Sequence, residues 1–240
     1  MDTIVIKQLT KKYGDIVAVD DLSLNIEEGI LFSLLGMNGA GKTTVIKMLC
    51  CISKPTSGDA LVLDNSILRD ANMVKSIINL SPQETAAAPN LTVKENLEMI
   101  SGIYGYCKKE TDEKVKDIIS KFKLEEVKDR FVKKLSGGMM RRLSIAMALI
   151  SEPKVLFLDE PTIGLDVLAR RELWKIIEEL KKKMTIILTT HYMEEAEKLS
   201  DRIGIIAKGK LVAQGTAREL MERVKVDNFE DAFVELAGEL

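Results

Sequence analysis

The residues with the clearest chemistry form a glycine-rich segment at 36–44, which reads GMNGAGKTT. Apolar segments at 30–35 and 45–49 flank it, so the segment connects a buried strand to the start of a helix. Glycines permit positive φ angles that turn successive backbone N–H groups towards one anion, and the helix N-terminus adds positive potential. This context favours a phosphate-binding loop over a chance glycine turn. The residues predicted to hold the nucleotide phosphates are Asn38, Gly39, Ala40, Gly41, Lys42, Thr43 and Thr44.

Two adjacent carboxylates, Asp159 and Glu160, end a second apolar segment at 154–158. Ligands of open α/β sheets bind at the carboxyl ends of the strands. A Mg²⁺ ion would account for Asp159, and an attacking water would account for Glu160 as a base or orienting group. The alternative is a strand that simply ends in acidic turn residues, which the presence of Lys42 and Thr43 in the same chain disfavours.

The single histidine, His191, follows a third apolar segment at 184–190. A lone histidine is more often structural than catalytic. In a parallel strand order, however, His191 would lie beside Asp159 and Glu160, where it can donate a hydrogen bond to a γ-phosphate. We therefore predict that His191 belongs to the same site.

A second group of small residues, Ser136, Gly137 and Gly138, stands at the start of a helix. Two interpretations remain open, an N-cap followed by flexible glycines or a second anion-binding nest. The second interpretation would put two phosphate-binding features far apart in one chain. Such a chain would be suited to a dimer that holds nucleotide between its subunits.

The surrounding pattern indicates how these residues are positioned. Alternating apolar and polar residues at 4–9 and 16–26 predict antiparallel strands, joined by a turn that carries Tyr13. Between about 90 and 150 only helix patterns occur, with one helix opened by a capping box at Thr92 and the next opened at Thr111. We expect an α/β domain with a largely parallel core sheet, an N-terminal antiparallel β part and a helical part. Further strands are predicted at 30–35, 60–63, 77–80, 154–160, 184–190, 203–207 and 210–213, and further helices through 150, at 167–183, at 193–200 and in the tail.

Composition excludes several classes of protein. The 240 residues are 46% hydrophobic, enough for one large domain with a sizeable core. With 35 basic and 37 acidic residues the net charge is -2, so we expect no nucleic-acid partner. Cys50, Cys51 and Cys107 have no metal-binding spacing and fit a reducing compartment.

Targeting signals are also absent from the sequence pattern. The first residues, MDTI, lack the basic-then-apolar order of a signal peptide. Since no apolar run approaches the roughly 20 residues that span a bilayer, we expect a soluble protein. Any work at a membrane would then need a partner.

Over nearly its whole length the chain resembles the nucleotide-binding subunit of an ATP-binding-cassette (ABC) transporter. The segment LSGG at 135–138 looks like the signature motif of that family. The other motifs follow in family order: Walker A at 36–44, the Q-loop at Gln83, Walker B at 155–160, the D-loop at 164–166 and the switch histidine at 191.

The resemblance implies a P-loop NTPase fold in a single domain over residues 1–240. A RecA-like core with the antiparallel β subdomain would take about 1–88 and 151–225. A helical subdomain with the signature motif would take about 89–150, and a helical tail about 216–240.

The same resemblance implies roles for individual residues, with ATP and Mg²⁺ as the bound groups. Tyr13 would stack on adenine, and Glu160 would activate water while His191 senses the γ-phosphate. Ser136, Gly137 and Gly138 would act on the ATP held by the other subunit of a head-to-tail dimer, with Asp166 across the seam. The implied catalytic residues are Glu160, His191, Lys42 and Gln83, and the implied metal ligands are Thr43, Gln83 and Asp159.

Two positions depart from the usual family pattern. Met37 stands where the family often has proline, and Met139 stands where glutamine is commonest. Subunits of drug and polysaccharide exporters often carry methionine at the second position. Arg141, Arg142 and the segments 190–197 and 229–233 resemble the same export group.

These features lead to one leading hypothesis and two alternatives. The leading one is an ATPase subunit at the cytoplasmic face of the membrane that powers a separate transmembrane permease for export and pairs with a second copy or another ATPase subunit. A soluble ABC-type ATPase uncoupled from transport is the main alternative. A catalytically dead regulatory module is disfavoured because Lys42, Asp159, Glu160 and His191 are all present.

Overall fold

A computed structural model describes residues 2–238 of the chain as alternating strands and helices. The strands are β1 (Asp2–Tyr13), β2 (Ile16–Glu27), β3 (Leu31–Leu35), β4 (Ser57–Val62), β5 (Asn65–Ser66), β6 (Ile78–Ser81), β7 (Val155–Asp159), β8 (Thr185–Thr190), β9 (Arg202–Ala207) and β10 (Lys210–Gly215). The helices are α1 (Lys42–Leu49), α2 (Ala71–Ile77), α3 (Val93–Ile103), α4 (Lys108–Lys121), α5 (Gly137–Leu149), α6 (Val167–Lys181), α7 (Met193–Leu199), α8 (Ala217–Val224) and α9 (Phe229–Gly238).

The larger sheet has six strands in the order β10-β9-β3-β8-β7-β6. All neighbouring pairs are parallel except β10 and β9 at one edge. Every residue of β3, β7 and β8 is buried, which explains why these strands are mainly apolar and do not alternate with charged residues. The predicted largely parallel core sheet is therefore confirmed.

A second, antiparallel sheet has the order β2-β1-β4-β5. Its inner face carries Ile4, Ile6 and Leu22, which pack in one hydrophobic cluster with Val45 and Ile46 of α1. Residues of β1 alternate in burial only in part, because several register shifts interrupt its pairing with β2. This sheet thus covers the helix that follows the glycine-rich segment and fixes its position.

The helical part of the chain, α3 to α5, lies between β6 and β7 in sequence. Its buried residues include Val93, Val115 and Phe122, in a cluster that continues through α5 to Leu156 of β7. The helices therefore share a core with the parallel sheet instead of forming a separate unit.

Some predicted boundaries are wrong. Helix α4 begins at Lys108, not at Thr111, because Cys107 is the N-cap and its N–H donates to Glu110 Oε2 at 2.8 Å. Cysteine is not among the usual N-cap residues, so this capping box is hard to recognise from residue types alone. Strand β1 extends through Tyr13 and leaves only a short turn before β2, while β5 and α2 were not predicted.

Candidate functional site

The glycine-rich segment joins β3 to α1 through two residues of positive φ. Gly39 has φ +81° and Gly41, the N-cap of α1, has φ +106°. A Cβ atom on Gly41 would lie 2.4 Å from the carbonyl oxygen of Ala18 in β2. Glycine is therefore required at 41 both for the backbone conformation and for the close contact with the neighbouring strand.

The Lys42 side chain is almost completely buried, with 4% of its surface exposed. Its ammonium donates to the carbonyl oxygens of Gly36 at 2.8 Å and Met37 at 3.1 Å. It also forms an ion pair with Glu160 Oε1 at 3.1 Å. Two residues 118 positions apart in the chain thus share one buried charge pair, and both face the same cavity.

The order of the parallel strands brings Asp159 to Thr43. The Thr43 hydroxyl donates to Asp159 Oδ1 at 3.1 Å, and the Thr189 hydroxyl donates to the same oxygen at 2.5 Å. Asp159 ends β7, and Thr189 lies beside it on β8. Asp159 is therefore held by hydroxyls from both neighbouring elements.

Glu160 leaves β7 with φ +49°, so it was wrongly included in the predicted strand. Its backbone N–H donates to the carbonyl oxygen and to the hydroxyl of Thr189, both at 3.1 Å. Its carboxylate Oε2 lies 2.5 Å from Nδ1 of His191. The conformation thus directs one carboxylate to both Lys42 and His191 instead of continuing the sheet.

A cavity of about 290 Å³ lies in front of these groups. Residues 38–44 and Gln83 line it together with Glu160, and all of these were named as candidate site residues above. Ala18 and Ile163 also line it and were not predicted. The sequence does not mark a small apolar strand residue such as Ala18 as part of a cavity wall. Its position there is evident only from the close approach of Gly41 to Ala18.

A family model described as "ABC transporter" matches residues 19–163 of the chain. The chain belongs to the ABC transporter family. It therefore contains an ABC-type ATPase domain that binds ATP.

Two curated relatives illustrate the similarity. The chain is 40% identical over 236 residues to "Probable multidrug ABC transporter ATP-binding protein YbhF" of Escherichia coli, covering 96% of this chain but 41% of that protein. It is also 40% identical over 213 residues to "Daunorubicin/doxorubicin resistance ATP-binding protein DrrA" of Streptomyces peucetius, covering 88% of this chain and 64% of that one. The chain thus spans about two fifths of the first relative and just under two thirds of the second.

Solved structures of ABC cassettes share the fold. One is a dimeric post-hydrolysis state of the cassette MJ0796 bound to ADP and Pi, with a TM-score of 0.80, 27% identity and coverage of 89% of this chain and 98% of that one. Another is cbiO1 from Clostridium perfringens, described as part of the transporter complex cbiONQ, with a TM-score of 0.82, 26% identity and coverage of 93% and 96%. Together with the two sheets they confirm the predicted ABC ATPase fold.

Within one subunit, the signature residues and Asp166 do not line the cavity in front of Lys42. Ser136 Oγ accepts the Met139 N–H at 3.3 Å and caps α5, while Asp166 Oδ1 accepts the N–H groups of Leu168 and Ala169 at 2.9 Å and caps α6. The N-cap interpretation of Ser136 is therefore confirmed. A second role towards another subunit remains a prediction.

Arg141 of α5 makes a contact that sequence reasoning missed. Its guanidinium donates to the carbonyl oxygens of Pro82 at 2.8 Å and Gln83 at 2.6 Å. Burial lowers the pKa of this side chain, but arginine stays charged in proteins. Since both acceptors are backbone carbonyls, no side-chain pattern indicates the pair. The contact fixes the Q-loop to the helix that begins at the signature motif.

Tyr13 ends β1 with 48% of its surface exposed, and the Lys11 ammonium lies 4.9 Å from the centre of its ring. We expect Tyr13→Ala to weaken binding of both ATP and GTP, because base-stacking contributes about 1–3 kcal/mol. The substitution should be measured by competition with a fluorescent ATP analogue. Tyr104→Ala, which removes a tyrosine of comparable exposure (43%) on the helical part, is the control. Unchanged affinity in Tyr13→Ala would exclude the stacking role.

Proposed function

We propose that this chain is the ATP-hydrolysing subunit of a membrane transporter, acting as a head-to-tail dimer of cassettes. The observation that carries the proposal is that Lys42 and His191 both contact the carboxylate of Glu160, which lines one cavity together with Lys42, with the Thr43 and Asp159 pair beside them. Each group comes from the end of a parallel strand or from the first turn of α1, which follows β3, and ligands of such sheets bind at this edge.

In this proposal the protein acts mainly by positioning and by stabilising charge, as phosphoryl transfer requires. Lys42 and the backbone N–H groups of residues 39–44 bind the phosphates. Glu160 accepts the proton of the attacking water. His191, as the imidazolium with two N–H donors, orients the Glu160 carboxylate through Nδ1 and donates to the γ-phosphate through Nε2. The buried setting strengthens each of these interactions relative to water.

Thr43, Asp159 and Gln83 fit a Mg²⁺ site. Their donors are a hydroxyl, a carboxylate and an amide oxygen, and Mg²⁺ prefers few protein oxygens together with water and phosphate. Over residues 2–238 there is no cluster of three or more His, Cys, Asp or Glu side chains that would indicate a different metal. Such an ion would neutralise charge on the β- and γ-phosphates.

Dimerisation is supported by the surface next to Asp166. Val167 and Leu168 are exposed apolar residues at the start of α6, and Leu168 has 75% of its surface exposed. Gly138 lies close by, since a Cβ atom there would be 3.2 Å from the Ala169 Cβ. The signature and D-loop residues therefore form one patch that a second cassette would cover, with Ser136, Gly137, Gly138 and Asp166 near its ATP. The dimeric MJ0796 cassette supports this arrangement.

A permease contact is supported by the surface of α3. Ile103 has 71% of its surface exposed, and Tyr104 accepts a hydrogen bond from Asn79 beside the Q-loop. A groove of about 170 Å³ runs between this helix, the Q-loop and α5. Because Arg141 connects the Q-loop to α5, a movement of either element would change the surface that a partner contacts here. No helix among residues 2–238 has the length and apolar character needed to cross a bilayer.

Export as the direction of transport rests on the family resemblance and on the similarity to YbhF and DrrA, whose names refer to multidrug transport and to daunorubicin/doxorubicin resistance. We place the proposed subunit at the cytoplasmic face of the membrane, where a permease would hold it. The domain limits given above belong to the same proposal, apart from residues 1, 239 and 240, which lie outside the described residues. A soluble ABC-type ATPase uncoupled from transport is the second candidate.

We expect the tagged chain to capture a multi-span membrane protein from cell membranes in mild detergent. Ile103→Glu should abolish that capture while ATPase activity of the isolated chain stays within about twofold, because the change is on an exposed surface away from the ATP cavity. Val234→Glu is the matched control, since Val234 is an exposed aliphatic residue on α9, which packs at the opposite edge of the sheet.

The capture experiment separates the two candidate functions. Loss of capture in Ile103→Glu but not in Val234→Glu would support the permease contact. Capture of soluble partners alone would favour the uncoupled ATPase, and equal capture by both variants would exclude α3 as the contact.

A further inference from the structure

A second carboxyl group, Glu195, lies beneath the proposed catalytic residues. Glu195 belongs to α7, four residues after His191, and none of its surface is exposed. Its Oε1 accepts the indole N–H of Trp174 in α6 at 3.0 Å. Burial raises the pKa of the Glu195 carboxyl, and the nearby side chains of Thr190, Trp174 and Thr162 offset that effect only in part. Glu160 forms an ion pair with Lys42, whereas Glu195 accepts its hydrogen bond from a neutral side chain, Trp174.

The second oxygen of this carboxyl group, Glu195 Oε2, is buried and has no hydrogen-bond partner among the described residues. The same is true of the nearby Thr162 Oγ1. Thr162 follows Glu160 by two residues in the loop after β7. Thr190, the last residue of β8, directly precedes His191. Glu195 thus lies where the chain segment carrying Glu160 and the segment carrying His191 approach each other.

We propose that Glu195 is a positioning residue that ties the loop after β7 to the end of β8 and thereby aligns Glu160 with His191. It acts through Thr162 and Thr190 and does not touch the reacting atoms. The inference rests on the proposed roles of Glu160 and His191. It adds a residue to which neither the motifs nor the comparisons assign a role.

Hydrogen-bonding capacity decides which substitutions preserve this arrangement. A neutral carboxyl group accepts from Trp174 with one oxygen and donates with the other, which suits the unpaired hydroxyl of Thr162. A glutamine side chain offers the same combination of one acceptor and one donor group in nearly the same volume. Alanine removes both, so the Trp174 N–H loses its acceptor in a buried space and the Thr162 hydroxyl loses the neighbouring carboxyl group.

Two variants and one control test the proposal. Glu195→Ala should lower kcat for ATP hydrolysis by about 10²-fold with KM nearly unchanged, because a small misplacement of catalytic groups reduces the rate strongly. Glu195→Gln should keep kcat within about threefold of the parent protein. Glu194→Gln is the matched control, since Glu194 is the adjacent carboxylate but is partly exposed and pairs with Arg170 and Lys198.

A second measurement does not depend on turnover. His191 is the only histidine in the sequence, so its ring gives one set of signals in the NMR spectrum of the protein once any affinity tag is removed. Glu195→Ala should shift the His191 ring signals, because His191 would no longer be held at 2.5 Å from Glu160. Glu195→Gln and Glu194→Gln should leave them in place.

The outcomes are distinct. Unshifted His191 signals in folded Glu195→Ala, or glutamine as disruptive as alanine, would overturn the positioning role. A rise in KM with unchanged kcat would do the same, because it would indicate lost nucleotide binding instead of lost alignment. If the parent chain itself hydrolysed no ATP, the proposed function would fail, and the His191 signals would still decide the role of Glu195.

Discussion

Glu160→Gln is expected to lower kcat for ATP hydrolysis by about 10²- to 10⁴-fold, the range associated with loss of a general base. ATP binding should persist, because Lys42 keeps its hydrogen bonds to the carbonyl oxygens of Gly36 and Met37. The variant should therefore bind ATP, form the closed dimer and stay in it. Steady-state ATPase assays and size-exclusion chromatography with and without ATP measure both effects.

Glu152→Gln is a close control for this substitution. Like Glu160, Glu152 has a positive φ, +52° against +49°, and pairs with a lysine, Lys114. It lies at the surface after α5, away from the cavity. ATPase activity should be unchanged in Glu152→Gln. If Glu160→Gln retained hydrolysis at a comparable rate, Glu160 could not be the base.

The local pattern of the sequence was enough to predict the central part of this site. The phosphate-binding segment is recognisable because its glycines, Lys42 and Thr43 are contiguous. Asp159 and His191 are recognisable because each follows an apolar run that can only be a buried strand, and the ends of parallel strands meet at one edge. The predicted parallel sheet then required no information beyond the alternation of strands and helices.

The parts that could not be predicted depend on contacts between distant residues. Arg141 binds backbone carbonyls 58 and 59 positions away. Every residue has a backbone carbonyl, so residue types do not indicate which ones Arg141 contacts. Glu195 resembles any acidic residue of an amphipathic helix until Trp174 and the end of β8 are seen to enclose it. The positive φ of Glu160 likewise follows from its hydrogen bonds to Thr189 on the neighbouring strand. Each of these features is set by packing, which sequence spacing does not encode.

Gly41→Ala is the second substitution for which we expect a large effect, a loss of ATP affinity caused by the backbone conformation at this position. In Gly41→Ala the residue would keep a positive φ at a cost of about 1–3 kcal/mol. In addition its Cβ would meet the carbonyl oxygen of Ala18 at 2.4 Å, so the segment would have to move away from β2. The first turn of α1, with Lys42 and Thr43, would move with it. We expect ATP affinity to fall by at least about 10²-fold, roughly 2.8 kcal/mol.

Gly105→Ala separates the two contributions. Gly105 has φ +81°, similar to Gly41, but a Cβ atom there would meet nothing within 4 Å. Its substitution should lower the free energy of unfolding through φ alone, by about 1–3 kcal/mol, and leave ATP affinity unchanged. Chemical denaturation and nucleotide titration measure both quantities. If Gly41→Ala bound ATP as tightly as Gly105→Ala, the contact between the phosphate-binding segment and β2 would not determine the geometry of the site. A loss confined to Gly41→Ala would show that β2 sets the position of Lys42, and hence that the antiparallel sheet takes part in building the site.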